Sequence, residues 1–160
     1  MSGFERFYLE TKDKFFGYLL KLTGNSEEAS DILQETYLRL FKNYKERPVK
    51  ALLYRIGYNI FIDTRRRLKH QGELEDFSNM EDTNTNVVSS YIKREEFSSV
   101  MKLLQRLSVE ERNILSLRSS DNLSYKEIAE ITGMSEENVK VKIHRIRKKL
   151  KNMMKEEGLL

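Results

Sequence analysis

Apolar residues recur along this chain at intervals of three and four. In residues 4–22 the recurring set is Phe4, Phe7, Tyr8, Phe15, Leu19 and Leu22, a spacing that predicts an amphipathic α-helix. "TGNSEEASD" follows. Gly24 can end that helix, Asn25 or Ser26 can cap the next, and acids crowd its first turn, where they suit the helix dipole. The second predicted helix covers residues 27–44 and turns Ala29, Leu33, Tyr37, Leu40 and Tyr44 inward. Pro48 then interrupts the pattern, so "KERPVK" (residues 45–50) reads as a loop. A third helix is expected over residues 51–69, with Leu53, Ile56 and Ile60 inward.

The stretch "HQGELEDFSNMEDTNTNVVSS" has no helical period and is polar and acidic, which reads as a linker. Periodicity resumes near Tyr91 with Phe97, Val100, Met101, Leu104 and Leu107. "SVEE" at residues 108–111 and "SYKE" at residues 124–127 each have a cap residue three positions before a glutamate. Such capping boxes mark helix starts, so four helices are expected in the second half. One proline and seven glycines in 160 residues favour an all-α protein, because strand-rich folds spend more of both on turns. The expected division is a domain at 1–70, a linker at 71–90 and a second domain at 91–160. A linker of about 20 residues can extend roughly 70 Å.

Within the second half, "SYKEIAEITGMSEENVKVKIHRIRKKL" holds two short helical patterns on either side of Gly133. Ile128, Ala129 and Ile131 form the apolar side of the first. Ser135 can cap the second, whose stripe is Val139, Ile143, Ile146 and Leu150. Gly133 permits the left-handed backbone that a tight turn needs. Two short helices joined this way form a helix-turn-helix, whose second helix can enter a major groove.

Charge sharpens this reading. The net charge is only +4, but residues 140–155 hold eight Lys/Arg and no acid. Residues 65–70 hold four more, and residues 71–92 hold five acids and no base. Two basic clusters flanking an acidic connector suggest two contacts with a polyanion. A basic helix can be merely a solvated face. Here the glycine turn, both caps and the absence of acids coincide, and together they point to DNA binding by neutralisation of phosphates. With the stripe inward, Asn138, Val141, Lys142 and Arg145 face outward where they can reach base edges. Lys148, Lys149 and Lys151 lie further along, toward phosphates. His144 is expected to be a phosphate or packing residue.

Other chemistries find little support. There is no cysteine, which excludes disulfides and thiolate chemistry and fits a reducing cytoplasm. The first residues carry scattered charge, unlike a signal peptide, and no apolar run approaches the roughly 20 residues of a membrane span. Phosphate-binding loops, zinc-ligand spacings and nucleophile motifs are not found. No catalytic residue, metal or cofactor is expected, and a nuclease would need clustered carboxylates that the linker acids do not form.

Three segments together resemble one family. "LSYKEIAEITGMSEENVKVKIHRIRKKLK" is similar to the part of extracytoplasmic function sigma factors that reads the minus-thirty-five promoter element. "DILQETYLRLF" (residues 31–41) resembles their core-polymerase-binding helix, and "LLYRIGYNIFIDTRRR" (residues 52–67) their minus-ten segment. The segments stand in the family order and span essentially the whole chain. The resemblance implies a sigma factor that binds core polymerase and directs initiation at promoters, with no catalysis of its own. It implies docking of Asp31, Gln34, Glu35 and Leu38 on the clamp helices of the largest polymerase subunit, and contact with the flap of the second largest. For the minus-ten element it implies Arg47, Lys50, Tyr54, Arg55, Tyr58, Asn59, Asp63 and Arg66. For the minus-thirty-five element it implies Asn138, Lys140, Val141, Lys142, His144, Arg145, Lys148 and Lys149. An anti-sigma factor is the further partner implied.

The residues alone leave alternatives open. The outward face of residues 31–42 can be simple solvated surface. Tyr54, Tyr58 and Phe61 can stack on unpaired bases or fill a core. The family usually has tryptophan where this chain has Leu52, so Leu52 keeps a packing role rather than a stacking one. A stand-alone helix-turn-helix regulator would explain the second half but not the first.

Overall fold

The structure, a computed structural model, describes residues 1–71 and 91–160, with side chains in the second segment described from residue 98 onward. The linker expected at 71–90 therefore lies, apart from Gln71, outside the described residues.

Three helices make the first half: α1 (Gly3–Thr23), α2 (Ser26–Tyr44) and α3 (Lys50–Gln71). Local chemistry sets their ends. Gly24 adopts φ 70° and its N–H returns to the Leu20 carbonyl, closing α1. Asn25, rather than Ser26, caps α2 by accepting the Glu28 N–H at 2.9 Å. Pro48 keeps the loop before α3 non-helical. The core is aromatic. The ring of Phe15 lies 6.1, 5.7 and 5.3 Å from those of Tyr18, Tyr37 and Tyr54, the last two edge-on. Gly57 lets α3 approach this cluster, since a Cβ there would stand 2.7 Å from Phe15 Cζ.

One expected core residue is not in the core. Tyr44 ends α2 exposed. Helix α1 begins at Gly3, and Phe4 already packs on Phe41 with ring centroids 5.1 Å apart, so no further turn of α1 reaches Tyr44. Leu33 and Ile56, also expected inward, are half-buried.

The second half contains α4 (Tyr91–Gln105), α5 (Val109–Asp121), α6 (Tyr125–Thr132) and α7 (Glu136–Glu156). All described helices are α and no strand occurs among the described residues. Both capping boxes form: Ser108 with Glu111 and Ser124 with Glu127 exchange reciprocal bonds. Helix α5 ends at Asn122, in the left-handed region at φ 49°, a conformation asparagine tolerates better than most residues. Gly133 takes φ 79° in the α6–α7 turn. Val139, Ile143, Ile146 and Met153 of α7 are buried, and Leu150 half-buried.

The two halves pack on each other, α1 against α5 and α3 against α6. Tyr18, fully buried on α1, donates to Asn113 Oδ1 on α5. The buried Arg112 guanidinium donates to the Leu22 carbonyl at 2.8 Å and the Leu107 carbonyl at 3.1 Å. It thereby satisfies a carbonyl in the last turn of α1 and one in the connection between α4 and α5.

Candidate nucleic-acid and polymerase interfaces

Helix α7 is held by one apolar stripe, and most of the rest of its circumference is exposed. Asn138, Lys140, Val141, His144, Arg145, Lys148 and Lys149 are all exposed. Lys142 is half-buried and lies 2.6 Å from Glu110 Oε1, while Lys149 lies 3.0 Å from Glu111 Oε1. These acids occupy the first turn of α5, which runs beside α7. Burial raises the Glu111 pKa, but hydrogen bonds from the Ser108 backbone and Lys149 outweigh it and hold the carboxyl below its usual range. Glu111 is ionised at neutral pH and its negative charge faces the basic helix.

A second surface lies on α2. Asp31, Gln34, Glu35 and Leu38 are exposed on one face, and Glu35 pairs with Arg39 one turn on. Leu38 is 69% exposed and Phe41 49%. A leucine so exposed contributes nothing to this chain's own core, so its apolar area is available to a partner.

The residues expected to meet the minus-ten element are divided. Arg47, Lys50, Arg55, Asn59, Asp63 and Arg66 are exposed and Tyr58 is half-buried. Tyr54 is buried, and its hydroxyl donates to Asp121 Oδ2 of α5 at 2.9 Å. Burial, and then the Asp121 charge, push the Tyr54 pKa far up, so the phenol stays protonated as a donor. Lys50 and Lys14 lie 3.5 and 3.6 Å from the same carboxylate. Arg55 donates to the Glu130 carbonyl on α6. Arg55, Tyr58 and Asn59 form one wall of a cleft of about 420 Å³, whose other wall includes Asn113, Ile131 and Met134. In this arrangement the face of α3 that carries Tyr54 looks onto α5 and α6 and away from solvent.

Several residues here were not singled out by sequence reasoning. Arg112 is buried, and its pKa is pushed down to about 10 by burial and then by Arg65, so it remains charged at neutral pH. Asp121 carries a legible signal: an acid in the last turn of a helix opposes the dipole, which asks for cations from elsewhere. Glu110 and Glu111 read from sequence as first-turn acids and nothing more. Among the described residues no cluster of histidine, cysteine and acids could hold a metal ion. No helix among them is long and apolar enough to cross a membrane.

The chain is similar to known proteins along both halves. The family model for sigma-70 region 2 matches residues 7–71, and that for sigma-70, region 4 matches residues 97–150. The RNA polymerase sigma factor YlaC of Bacillus subtilis is 29% identical, over 96% of this chain and 92% of its own. The ECF RNA polymerase sigma factor SigM of the same organism is 31% identical, over 85% of each chain. SigE of Mycolicibacterium smegmatis is 27% identical, and the match covers 62% of its length. In fold, the chain is similar to the sigma factor RpoE, crystallised in complex with the anti-sigma factor NepR from Bartonella quintana. That match has a TM-score of 0.77 at 20% identity, over 95% of this chain and 96% of the other. With both regions present in order and a relative at 31% identity along most of its length, the chain belongs to the extracytoplasmic function family of bacterial RNA polymerase sigma factors.

Proposed function

We propose that this sigma factor docks on core RNA polymerase through the α2 face, reads the minus-thirty-five duplex with α7, and engages the minus-ten element with α3 and the loop at residues 45–50. The observation that carries the reading is α7. Its inward stripe leaves an outward face rich in Lys and Arg, and residues 140–155 contain no acid. An anti-sigma factor is a further proposed partner, supported by the complex of the similar RpoE, and the proposed site of action is the cytoplasm. The work done is an exchange of duplex pairing for protein contacts, without covalent chemistry. For Tyr54 to meet DNA, its hydroxyl must leave Asp121, so engagement of the minus-ten element requires α3 to part from α5 and α6. Run-off transcription with purified core polymerase and genomic promoter fragments tests the whole reading. Absence of any promoter-specific transcript would overturn it.

Two finer expectations follow. Replacing Gln34 and Glu35 together by alanine should weaken association with core polymerase and leave helical content unchanged, because both side chains are exposed. Titration of labelled protein with core checks this, and unaltered affinity removes α2 from the docking site. On α7, Lys149→Ala should weaken binding about equally on all duplexes and lower the salt slope by roughly one unit. Lys142→Ala should cost about 1–3 kcal/mol on a cognate minus-thirty-five duplex and less on unrelated DNA. Equal losses for Lys142→Ala on both duplexes would make it a phosphate contact.

A further inference from the structure

Two ion pairs join the first turn of α5 to the DNA-facing side of α7. Lys142 Nζ lies 2.6 Å from Glu110 Oε1, and Lys149 Nζ lies 3.0 Å from Glu111 Oε1. The acids line one groove with Arg145 and Lys142. All four paired side chains remain partly in solvent, Glu110 at 58% and Lys149 at 50% of their full exposure. Exposed pairs of this kind are weak, so they hold the helix together only slightly. Their larger consequence is electrostatic: the acids neutralise, within the chain, part of the charge that α7 would otherwise offer to phosphates.

We propose that Glu110 and Glu111 are internal countercharges that limit the sequence-independent affinity of α7 for DNA. The proposal rests on the reading of α7 as the helix that meets the duplex. The physical argument is one of ion counting. A free lysine that meets a phosphate releases a condensed counterion, and that release drives non-specific binding. A lysine already paired with glutamate must give up its acid first. The bared carboxylate then recruits a cation and stands beside the DNA backbone, so the net release is close to zero. With both pairs in place, α7 gains less from phosphates than its count of basic residues suggests. The base-edge contacts of Asn138, Val141 and Arg145 are not taxed in this way and keep their share of the discrimination between sites, whereas Lys142 must leave Glu110 before it meets either a base edge or, on a duplex without the cognate site, a phosphate.

The two acids allow a clean test because they differ in their second role. Glu111 also closes the capping box with Ser108, and Glu111→Gln keeps an acceptor for the Ser108 N–H while removing the charge. Glu110 has no part in that box, so Glu110→Gln separates the charge effect from the cap. The full-length wild type, each single variant and the double variant are titrated with a short mixed-sequence duplex across a salt series. Each substitution should tighten binding at low salt and steepen the salt slope by about 0.9. That corresponds to roughly 3.5-fold more affinity lost between 50 and 200 mM salt per freed lysine. Adding Lys149→Ala to Glu111→Gln should erase the gain from Glu111→Gln. If the wild type binds with a clear salt dependence and the variants show the same slope, the countercharge role is overturned and the reading of α7 stands. If the wild type shows no salt-dependent affinity for duplex at all, both are overturned.

Discussion

Phe15→Ala should lower the stability of this sigma factor by about 3–5 kcal/mol. That is a large share of the roughly 5–15 kcal/mol a domain has in total. Phe15 is fully buried, with the rings of Tyr18, Tyr37 and Tyr54 around it. Truncation loses the transfer energy of the ring and leaves a cavity among stiff aromatic neighbours that cannot collapse into it. Gly57→Ala probes the same contact from the other side. Alanine gains about 1 kcal/mol of helix propensity over glycine, but its Cβ would stand 2.7 Å from Phe15 Cζ. Overpacking of this kind costs about 1–3 kcal/mol, so the net change should be destabilising. Denaturant unfolding of both variants provides the measurement. A loss below about 1 kcal/mol for Phe15→Ala would mean that the aromatic cluster does not organise the first half.

The second large effect is expected at Asp121. Asp121→Ala should weaken the packing of the two halves by about 2–3 kcal/mol. The side chain is 2% exposed and accepts the Tyr54 hydroxyl, with Lys50 and Lys14 close by. Removing it leaves a buried phenol without an acceptor, which costs about 1–3 kcal/mol. The two lysines are about half exposed, so solvent screens their share to less than about 1 kcal/mol each. The loss should appear first as a loosening of α3 from α5 and α6, because the Tyr54–Asp121 bond is what ties α3 to α5. X-ray scattering should then report a larger radius of gyration, and amide exchange should quicken along α3. A variant as compact and as well protected as the wild type would show that the carboxylate does not hold the interface.

The helices of this protein were legible from the chain because their determinants are local. Gly24 and Gly133 take the positive φ that only a residue without Cβ adopts freely. Ser108 and Ser124 sit three residues before glutamates that complete their caps. The stripe of Val139, Ile143 and Ile146 alone determines which side of α7 is hidden, and therefore which basic residues face out. The outward face of α2 followed from periodicity in the same way. Tyr44 departs from its pattern for a reason beyond its own helix, since the length of α1 decides whether anything covers it.

What the tertiary structure decided is the fate of Tyr54 and the partners of the buried charges. Tyr54 satisfies the pattern of a core residue and that of a base-stacking one equally well, and only the position of Asp121, 67 residues away, shows that it is covered here. Arg112 directly follows two acids in the chain, yet its partners are the carbonyls of Leu22 and Leu107. Glu110 and Glu111 meet lysines more than 30 residues further along. Periodicity and capping depend on neighbours within one or two turns, so the sequence by itself determined the helices and their exposed faces. Which charge meets which depends on how whole helices pack, and that information is spread over both halves of the chain.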